Sequence, residues 1–139
     1  MSVHVYDCHV RFSDVDVYGH VNNVKYFEYF QEARIAFLTS LGAELQRPET
    51  TERQVVARID VGYRRPILFR PTPYAVETEV TRIGTSSYDL SCRILNAPGD
   101  AGPGYSDASV RLVAFDLATH RSRPLSDTER SALEGVLAR

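Results

Sequence analysis

The stretch RFSDVDVYGHVNNVKYF, residues 11–27, indicates a strand, a turn and the start of a helix in close succession. Two aspartates, Asp14 and Asp16, follow a short apolar segment, and a glycine turn, a histidine and two asparagines come next. An amphipathic helix begins directly after them. That order places an ionised carboxylate beside a helix N-terminus, whose free N–H groups attract negative charge. Acyl transfer needs both elements, because a carboxylate can activate attack on a carbonyl carbon while the N–H groups hold the oxyanion.

The helix is predicted over residues 23–41, because apolar residues recur there every three or four positions and form one face. These residues are Tyr26, Phe30, Ala33, Phe37 and Leu41. Asn22 or Asn23 is predicted to cap its N-terminus, and Gly42 is predicted to end it. The polar residues 43–54 are predicted to form a loop.

Five strands are predicted around this helix from the alternation of apolar and polar residues. They cover residues 3–12, 55–64, 74–83, 87–95 and 105–117. Short turns join the strands after residue 55, so each of these is predicted to pair antiparallel with the next. Ser126, with Glu129 three residues later, predicts a closing helix over residues 126–137. The predicted class is α+β, a five-stranded antiparallel sheet packed on one long helix, in a single domain over residues 1–139.

Composition limits the classes of protein to which the chain can belong. Its 139 residues suffice to bury a hydrophobic core without stabilisation by disulfide bonds or bound metal ions. No apolar run approaches the roughly 20 residues that span a bilayer, and the N-terminus lacks the pattern of a signal peptide, so a cytoplasmic location is expected. A formal charge of −2 disfavours a nucleic-acid partner. Cys8 and Cys92 are too few for a disulfide framework and are expected to be free thiols.

The motif Asp-x-Asp-x-x-Gly-His-Val-Asn-Asn-x-x-Tyr at residues 14–26 resembles that of the hotdog-fold acyl thioesterases, in particular the 4-hydroxybenzoyl-CoA thioesterase-like branch. The segments that begin at Tyr63, Gly84 and Asp116 also resemble parts of that family, so the resemblance covers most of the chain. It implies a hotdog fold, in which the sheet wraps around the central helix. It also implies hydrolysis of an acyl-CoA substrate without a metal or bound cofactor. The family forms homodimers, and often homotetramers, with active sites at the subunit boundary.

The resemblance assigns roles to residues of the motif. Asp16 would supply the catalytic carboxylate, as a nucleophile or as a general base, and the backbone N–H of Asn23 would donate to the thioester oxygen. His20 would polarise the carbonyl or orient water, unless it only packs the loop onto the helix. Asp14 is expected to shape the loop. Tyr18 stands where the plant acyl-carrier-protein thioesterases have an asparagine, which leaves the choice between coenzyme A and a carrier protein open.

Further candidates for substrate binding are polar and aromatic residues of the motif, of the strand end after Tyr63 and of the hairpin that follows. They are Tyr18, Asn22, Tyr26, Arg64, Arg65, Ser86 and Ser87. By the resemblance, the two arginines and two serines would line the route of the coenzyme A pantetheine and phosphates. Exposed edge positions and ordinary turn chemistry are the alternative explanation for those four residues.

Three other possibilities remain open from the sequence. A second hotdog thioesterase design uses a carboxylate in the middle of the central helix, where Glu28 and Glu32 lie. A hotdog enoyl-CoA hydratase would share the fold, but its aspartate and histidine are separated by four residues that include Asn-Pro, whereas Asp16 and His20 are separated by three. A non-catalytic acyl-CoA-binding protein could keep the same loop. No metal site is expected, because an EF-hand alignment would put Lys25 where a bidentate glutamate is required.

Overall fold

The computed structural model describes residues 3–42 and 50–138. Its elements, in chain order, are strand β1 (His4–Cys8), a 3₁₀ turn (Phe12–Asp14), helix α1 (Lys25–Ser40), strands β2 (Glu52–Tyr63), β3 (Tyr74–Ile83), β4 (Ser87–Leu95), β5 (Ser106–Asp116) and β6 (Arg121–Ser122), and helix α2 (Asp127–Glu134). The first part of the loop predicted over residues 43–54, residues 43–49, lies outside the described residues, and its last three residues belong to β2. Neither helix in the described part has the length and apolar character needed to cross a membrane.

The strands form one antiparallel sheet in the order β1-β3-β4-β5-β2, and the two residues of β6 pair with the end of β5. The predicted α+β class and antiparallel sheet are therefore confirmed, with β6 as an additional short strand. The prediction that β2 pairs with β3 is wrong, because β2 pairs with β5 along its whole length. Residues 64–73 instead carry the chain from one side of the sheet to the other. Their three prolines cannot continue a hydrogen-bonded ladder, which explains why no hairpin forms there.

The core lies between α1 and the inner face of the sheet. Tyr26, Phe30, Ala33 and Phe37 of α1 are buried there, which confirms the apolar face predicted for the helix. Phe30 is completely buried, and truncating such a residue to alanine typically costs about 3–5 kcal/mol. Along β3, β4 and β5 buried residues alternate with more exposed ones, as expected for a sheet covered on one face. Both cysteines are free thiols, as predicted, and both are buried.

The ends of the two helices test the capping predictions. Gly42 ends α1 as predicted, because it adopts a φ of +102° and its N–H donates to the carbonyl of Thr39 at 3.1 Å. The predicted asparagine cap is wrong, since Val24 occupies the N-cap position and no side chain caps the helix. Asn22 lies two residues earlier, and its Oδ1 accepts the Val24 N–H at 3.2 Å in the turn before the helix. The predicted capping box of α2 is confirmed in both of its hydrogen bonds.

Candidate active site

The loop that carries the motif is a small hairpin between the 3₁₀ turn and α1. Val15 pairs with Val21, and the Asp16 N–H donates to the His20 carbonyl at 2.8 Å. The Gly19 N–H donates to the Asp16 carbonyl at 3.0 Å, which closes the turn. Gly19 has a φ of +80°, a conformation that glycine adopts at no steric cost, so the chain can reverse direction at this position.

The connection formed by residues 64–73 holds this hairpin in place. The Val21 N–H donates to the Ile67 carbonyl at 2.9 Å, and His20 pairs with Leu68. Ile67 is buried in the core beside Val21. The motif is therefore fixed by a segment more than forty residues further along the chain, between β2 and β3.

Asp14 is buried at the base of the hairpin, with 0% of its surface exposed. Its carboxylate accepts hydrogen bonds from the Tyr29 hydroxyl at 2.6 Å and from the Arg11 backbone N–H at 3.1 Å, and it forms an ion pair with the Arg11 guanidinium at 3.0 Å. Its carbonyl accepts the Asn22 N–H at 2.8 Å. Burial alone would raise the pKa of Asp14, but the Tyr29 and Arg11 hydrogen bonds outweigh it and hold that pKa below its ordinary value. These contacts agree with the loop-shaping role expected of Asp14.

Asp16 has a different environment, because its side chain is exposed. Its Oδ1 accepts the N–H groups of Tyr18 at 2.9 Å and His20 at 3.3 Å, which fixes the orientation of the carboxylate. Among the residues that the structure describes, none donates to Oδ2. One oxygen therefore stabilises the turn and the other is open to solvent.

The start of α1 includes a backbone donor that is unused, the N–H of Asn23. The N–H groups of Val24, Lys25 and Tyr26 all donate to oxygens of Asn22 or Asn23. The N–H of Asn23 itself donates to no acceptor within residues 3–42 and 50–138. It lies at the positive end of the helix dipole, where an anion is stabilised.

Tyr63, at the end of β2, supports this helix start and was not among the predicted site residues. Its hydroxyl donates to the Asn23 carbonyl at 3.0 Å, and its ring packs edge-to-face on Tyr26 with centroids 4.9 Å apart. Tyr26 is only 3% exposed, and its hydroxyl accepts the Ile67 N–H. Tyr26, predicted to bind substrate, thus lies in the core, where it supports the loop. Two sequence signals pointed to Tyr63, namely its position at the end of an alternating strand and the family resemblance of the segment that begins with it.

Other predicted residues lie near the motif loop at the same end of the sheet. Tyr18 is exposed at the tip of the hairpin, and the His20 side chain is exposed beside it. Arg64 and Arg65 follow Tyr63 directly. Arg64 forms an ion pair with Asp107 at 2.7 Å, and the guanidinium of Arg65 stacks on the Tyr105 ring at 4.0 Å.

The predicted serines are not brought to this end within one chain. Ser86 and Ser87 lie at the β3–β4 hairpin, where Ser87 Oγ accepts a hydrogen bond from Arg82 at 2.8 Å. Ser87 pairs with Val113 of β5, whereas Tyr63 pairs with Ser106 at the other end of the same strand. Seven residues of β5 separate the two positions, about 24 Å at 3.4 Å per residue.

The alternative carboxylates occupy another flank of α1. Glu28 and Glu32 line a cleft of about 420 Å³ between the helix and β1. Glu28 is neutralised there by ion pairs with Arg11 at 3.3 Å and Lys25 at 3.1 Å. Of the carboxylates considered for catalysis, Asp16 is the one that shares its loop with the unused Asn23 N–H.

Comparison with known proteins identifies relatives of the chain. A family model described as the thioesterase-like superfamily matches residues 10–133. The long-chain acyl-CoA thioesterase FadM of Escherichia coli (strain K12) is 30% identical over 128 residues, which cover 92% of this chain and 95% of that protein.

Solved structures with the same fold give a consistent result. The PA2801 protein from Pseudomonas aeruginosa is 37% identical, with a TM-score of 0.77 over 93% of this chain and 96% of that one. A thioesterase from Thermus thermophilus, solved with coenzyme A and Zn, is 29% identical, with a TM-score of 0.76 over 99% of this chain and 96% of that one. The family resemblance and the hotdog fold that it implied are confirmed.

Proposed function

Because this chain belongs to the thioesterase-like superfamily and is a thioester hydrolase, we propose that it cleaves acyl-CoA with water to a free acid and coenzyme A. The observation that carries the proposal is the pairing, on one short loop, of an open carboxylate oxygen of Asp16 with the unused N–H of Asn23. Asp16 and Asn23 are both exposed residues, so solvent and a substrate can reach this loop.

In this proposal, Asp16 acts on the thioester carbon by one of two routes. Its Oδ2 adds to that carbon and expels the coenzyme A thiolate, and water then hydrolyses the mixed anhydride. Alternatively, Oδ2 takes a proton from a water molecule that attacks the same carbon. In both routes the Asn23 N–H and the α1 dipole stabilise the oxyanion. Losing one such donor typically costs a factor on the order of 10²–10³ in rate.

The remaining residues of the motif would position the substrate. The backbone of His20 is held by Leu68 and by the Asp16 N–H, and its side chain would orient water or polarise the carbonyl. Tyr18 and Asn22 belong to the same loop and would border the bound thioester. Arg65 has no carboxylate partner among the described residues and would bind a coenzyme A phosphate. The chemistry uses the chain's own groups, so the proposal requires no metal or bound cofactor. A cytoplasmic location remains a prediction.

We further propose that the active form is a homodimer joined through β2. This strand is an edge of the sheet and has 12 residues, against five in the opposite edge strand β1. A long edge with exposed valines is a template for pairing with another strand. Antiparallel pairing of two β2 strands would bring Ser86 and Ser87 of one subunit to the motif-loop end of its partner. A tetramer of two such dimers is the extension that the family resemblance suggests.

The test follows free thiol while the purified protein is incubated with a panel of acyl-CoAs. We expect thiol release, and we expect Asp16→Asn to reduce it by a factor on the order of 10²–10⁴ because the base or nucleophile is lost. Asp7→Asn removes an exposed carboxylate on β1 and is the matched control, which should keep the wild-type rate. Circular dichroism and light scattering check that both variants keep their fold and mass.

Each competing function predicts a different result. Full activity in Asp16→Asn would move the chemistry to Glu28 or Glu32. Tight acyl-CoA binding without thiol release by the wild type would indicate a binding protein. Addition of water to an enoyl-CoA would indicate a hydratase.

A further inference from the structure

Large apolar side chains are exposed at the motif-loop end of the molecule. Among the described residues, the most exposed large hydrophobic side chains are Val17 and Tyr18 at the hairpin tip and Phe12 in the 3₁₀ turn. Val17 has 95% of its surface exposed to solvent, and Phe12 has 78%. Folded proteins seldom expose large apolar surface in one place unless it contacts a partner or a membrane.

Leu68 and Phe69, in the connection between β2 and β3, extend this surface. The Phe69 ring packs edge-to-face on Phe12 with centroids 5.7 Å apart, yet about half of the Phe69 surface remains exposed. Leu68 pairs through its backbone with His20 of the hairpin, and its side chain is also about half exposed. We call Phe12, Val17, Leu68 and Phe69 the loop-end patch.

The Phe12–Phe69 pair lies away from the sheet edge at which the dimer is proposed. Phe12 follows β1 by four residues, and Phe69 precedes β3 by five. β1 and β3 are neighbours in the sheet, and β1 is the edge strand opposite β2. Pairing of two β2 strands therefore leaves these two aromatic rings uncovered.

The shape of the patch favours a lipid surface over a groove for another protein. A side chain with 95% of its surface exposed stands at a tip with few neighbours, so Val17 does not line a groove that could receive a helix or a strand. Projecting apolar and aromatic side chains enter the boundary between lipid headgroups and acyl chains without needing a complementary pocket.

Positive charge borders the patch. The whole chain has a formal charge of −2, so attraction to an anionic surface depends on local charges. Neither Arg65 nor Arg70 forms an ion pair within the described residues. The Arg65 guanidinium stacks on the Tyr105 ring, and the Arg70 guanidinium donates to the Asn96 carbonyl at 2.9 Å, so both keep their charge.

The carboxylates of the motif loop cancel this charge only in part. Asp14 is buried and paired with Arg11. Asp16 has no ion pair among the residues that the structure describes. One free carboxylate of the loop thus accompanies the two free guanidiniums of Arg65 and Arg70.

We propose that the loop-end patch docks the protein on an anionic lipid bilayer. Phe12, Leu68 and Phe69 would enter the headgroup region, with the charges of Arg65 and Arg70 near the lipid phosphates. Apolar insertion and electrostatic attraction act together in binding of this kind. The patch adjoins the motif loop, so a docked protein presents that loop to amphiphilic molecules at the lipid surface.

The experiment sediments the purified protein with lipid vesicles in the absence of any thioester. We expect binding to vesicles of equal parts phosphatidylcholine and phosphatidylglycerol, and binding at least about fivefold weaker to pure phosphatidylcholine. Leu68→Ser should weaken binding to the mixed vesicles by about tenfold, because an apolar side chain no longer enters the headgroup region. Circular dichroism checks that the variant keeps its fold.

Leu117→Ser is the matched control for Leu68→Ser. The two leucines have similar exposure, 44% for Leu117 and 51% for Leu68. Leu117 directly follows β5 at Asp116, whereas the motif-loop end of β5 is at Ser106. We expect Leu117→Ser to bind the mixed vesicles as the wild type does.

A fluorescent probe locates the contact with lipid. The sequence contains no tryptophan, so Phe69→Trp and Leu117→Trp each introduce a single fluorophore. We expect the mixed vesicles to shift the emission of Phe69→Trp to shorter wavelength, because its indole ring leaves water. The emission of Leu117→Trp should not change.

Several results would overturn the docking proposal. They are a wild type that does not sediment with the mixed vesicles, full binding by Leu68→Ser, and an emission shift from Leu117→Trp alone. A changed oligomeric mass of Leu68→Ser in light scattering would also overturn it, because a second copy of the chain would then cover the patch. None of these measurements requires hydrolysis, so a protein that releases thiol from acyl-CoA but does not bind vesicles would keep the proposed function and lose the docking site.

Discussion

Asp14 and Asp16 are two residues apart and have opposite surroundings. Asp14 is enclosed by Tyr29 and Arg11, which satisfy both of its oxygens, so its carboxylate has no capacity left for a substrate. Asp16 has one oxygen in the turn and one in solvent. The family resemblance implied a catalytic carboxylate at Asp16, and Asp14 was expected to shape the loop. The surroundings of Asp14 agree with that expectation, and the catalytic role of Asp16 stays a prediction.

Tyr29→Phe tests the anchoring role of Asp14. The change removes one donor from a buried carboxylate, and a hydrogen bond to a charged group is worth about 1.5–3 kcal/mol. We expect a loss of that size in the free energy of unfolding at neutral pH, measured by urea denaturation. The lowered pKa of Asp14 should also rise toward its ordinary value.

The control for this prediction is Tyr18→Phe, which removes a hydroxyl from an exposed ring of the same loop. Surface changes of this kind usually alter stability by less than about 0.5 kcal/mol. Equal stability losses in the two variants would contradict the role of Tyr29 in holding Asp14.

Two residue roles could not be predicted from local sequence. Asn22 has the chemistry of a cap but serves the turn before the helix, because Val24 takes the N-cap position. Tyr26 was predicted to bind substrate but is buried in the core, where its hydroxyl accepts the Ile67 N–H, a contact that no local pattern specifies.

At the scale of elements, α2 is attached to the sheet through Glu129. This side chain is 2% exposed and accepts hydrogen bonds from the Ser126 N–H at 2.8 Å and from Gln54 of β2 at 3.1 Å. It also forms the ion pair with Arg123. Burial would raise the pKa of Glu129, but the Arg123 ion pair and these hydrogen bonds lower it to about 2.

Glu129→Gln tests the attachment of α2 to the sheet, because it should change how the free energy of unfolding depends on pH. A carboxylate with a lowered folded-state pKa stabilises the fold above its unfolded pKa, near ~4.3, and that contribution is lost as pH falls toward 2. We expect the variant to lose about 3 kcal/mol at neutral pH, because Arg123 is left buried without its partner. The wild-type stability should approach that of the variant between about pH 5 and pH 2.

Glu134→Gln, at the exposed end of α2, is the matched control and should follow the wild-type curve throughout. Thermal melts of the three proteins across this pH range provide the measurement. A variant curve parallel to that of the wild type would show that Glu129 does not supply the acid-sensitive contribution.

The boundaries of the elements were predictable where local signals agreed. The strands over residues 74–83 and 87–95 match their predictions to the residue, because turn-forming residues follow the end of each strand. The first strand is shorter than predicted and ends at Cys8, since the chain turns at residues 12–14 to bury Asp14. A long-range contact thus overrode the local preference for a strand.

At the scale of the whole molecule, the pairing of β2 with β5 decided the fold and was not predicted. Short connections suggested that neighbours in sequence would pair, yet residues 64–73 cross the sheet. Their buried Ile67 packs in the same core cluster as Val21 and its carbonyl accepts the Val21 N–H, so the crossing segment contacts the motif loop. Pairing over such separations depends on the complete set of core residues, so one strand's pattern cannot specify it.

The proposed dimer predicts that the two edges of the sheet respond differently to charge. Val56 of β2 and Val5 of β1 are both 42% exposed, so they form a matched pair. We expect Val56→Lys to convert the dimer to a monomer, because charged side chains on an edge oppose pairing with another strand. Val5→Lys should leave the dimer intact. Light scattering after size-exclusion chromatography measures the mass of each variant, and dissociation by Val5→Lys alone would place the interface at β1.

The attachment of the motif loop to residues 67 and 68 has a consequence for biosynthesis. Residues 11–27 leave the ribosome well before the segment that anchors them, and β2 has no partner until β5 has also been made. A nascent chain therefore contains every residue of the motif long before the motif loop can adopt its folded arrangement. The reactive centre is a late product of translation, completed only when most of the polypeptide is available to fold.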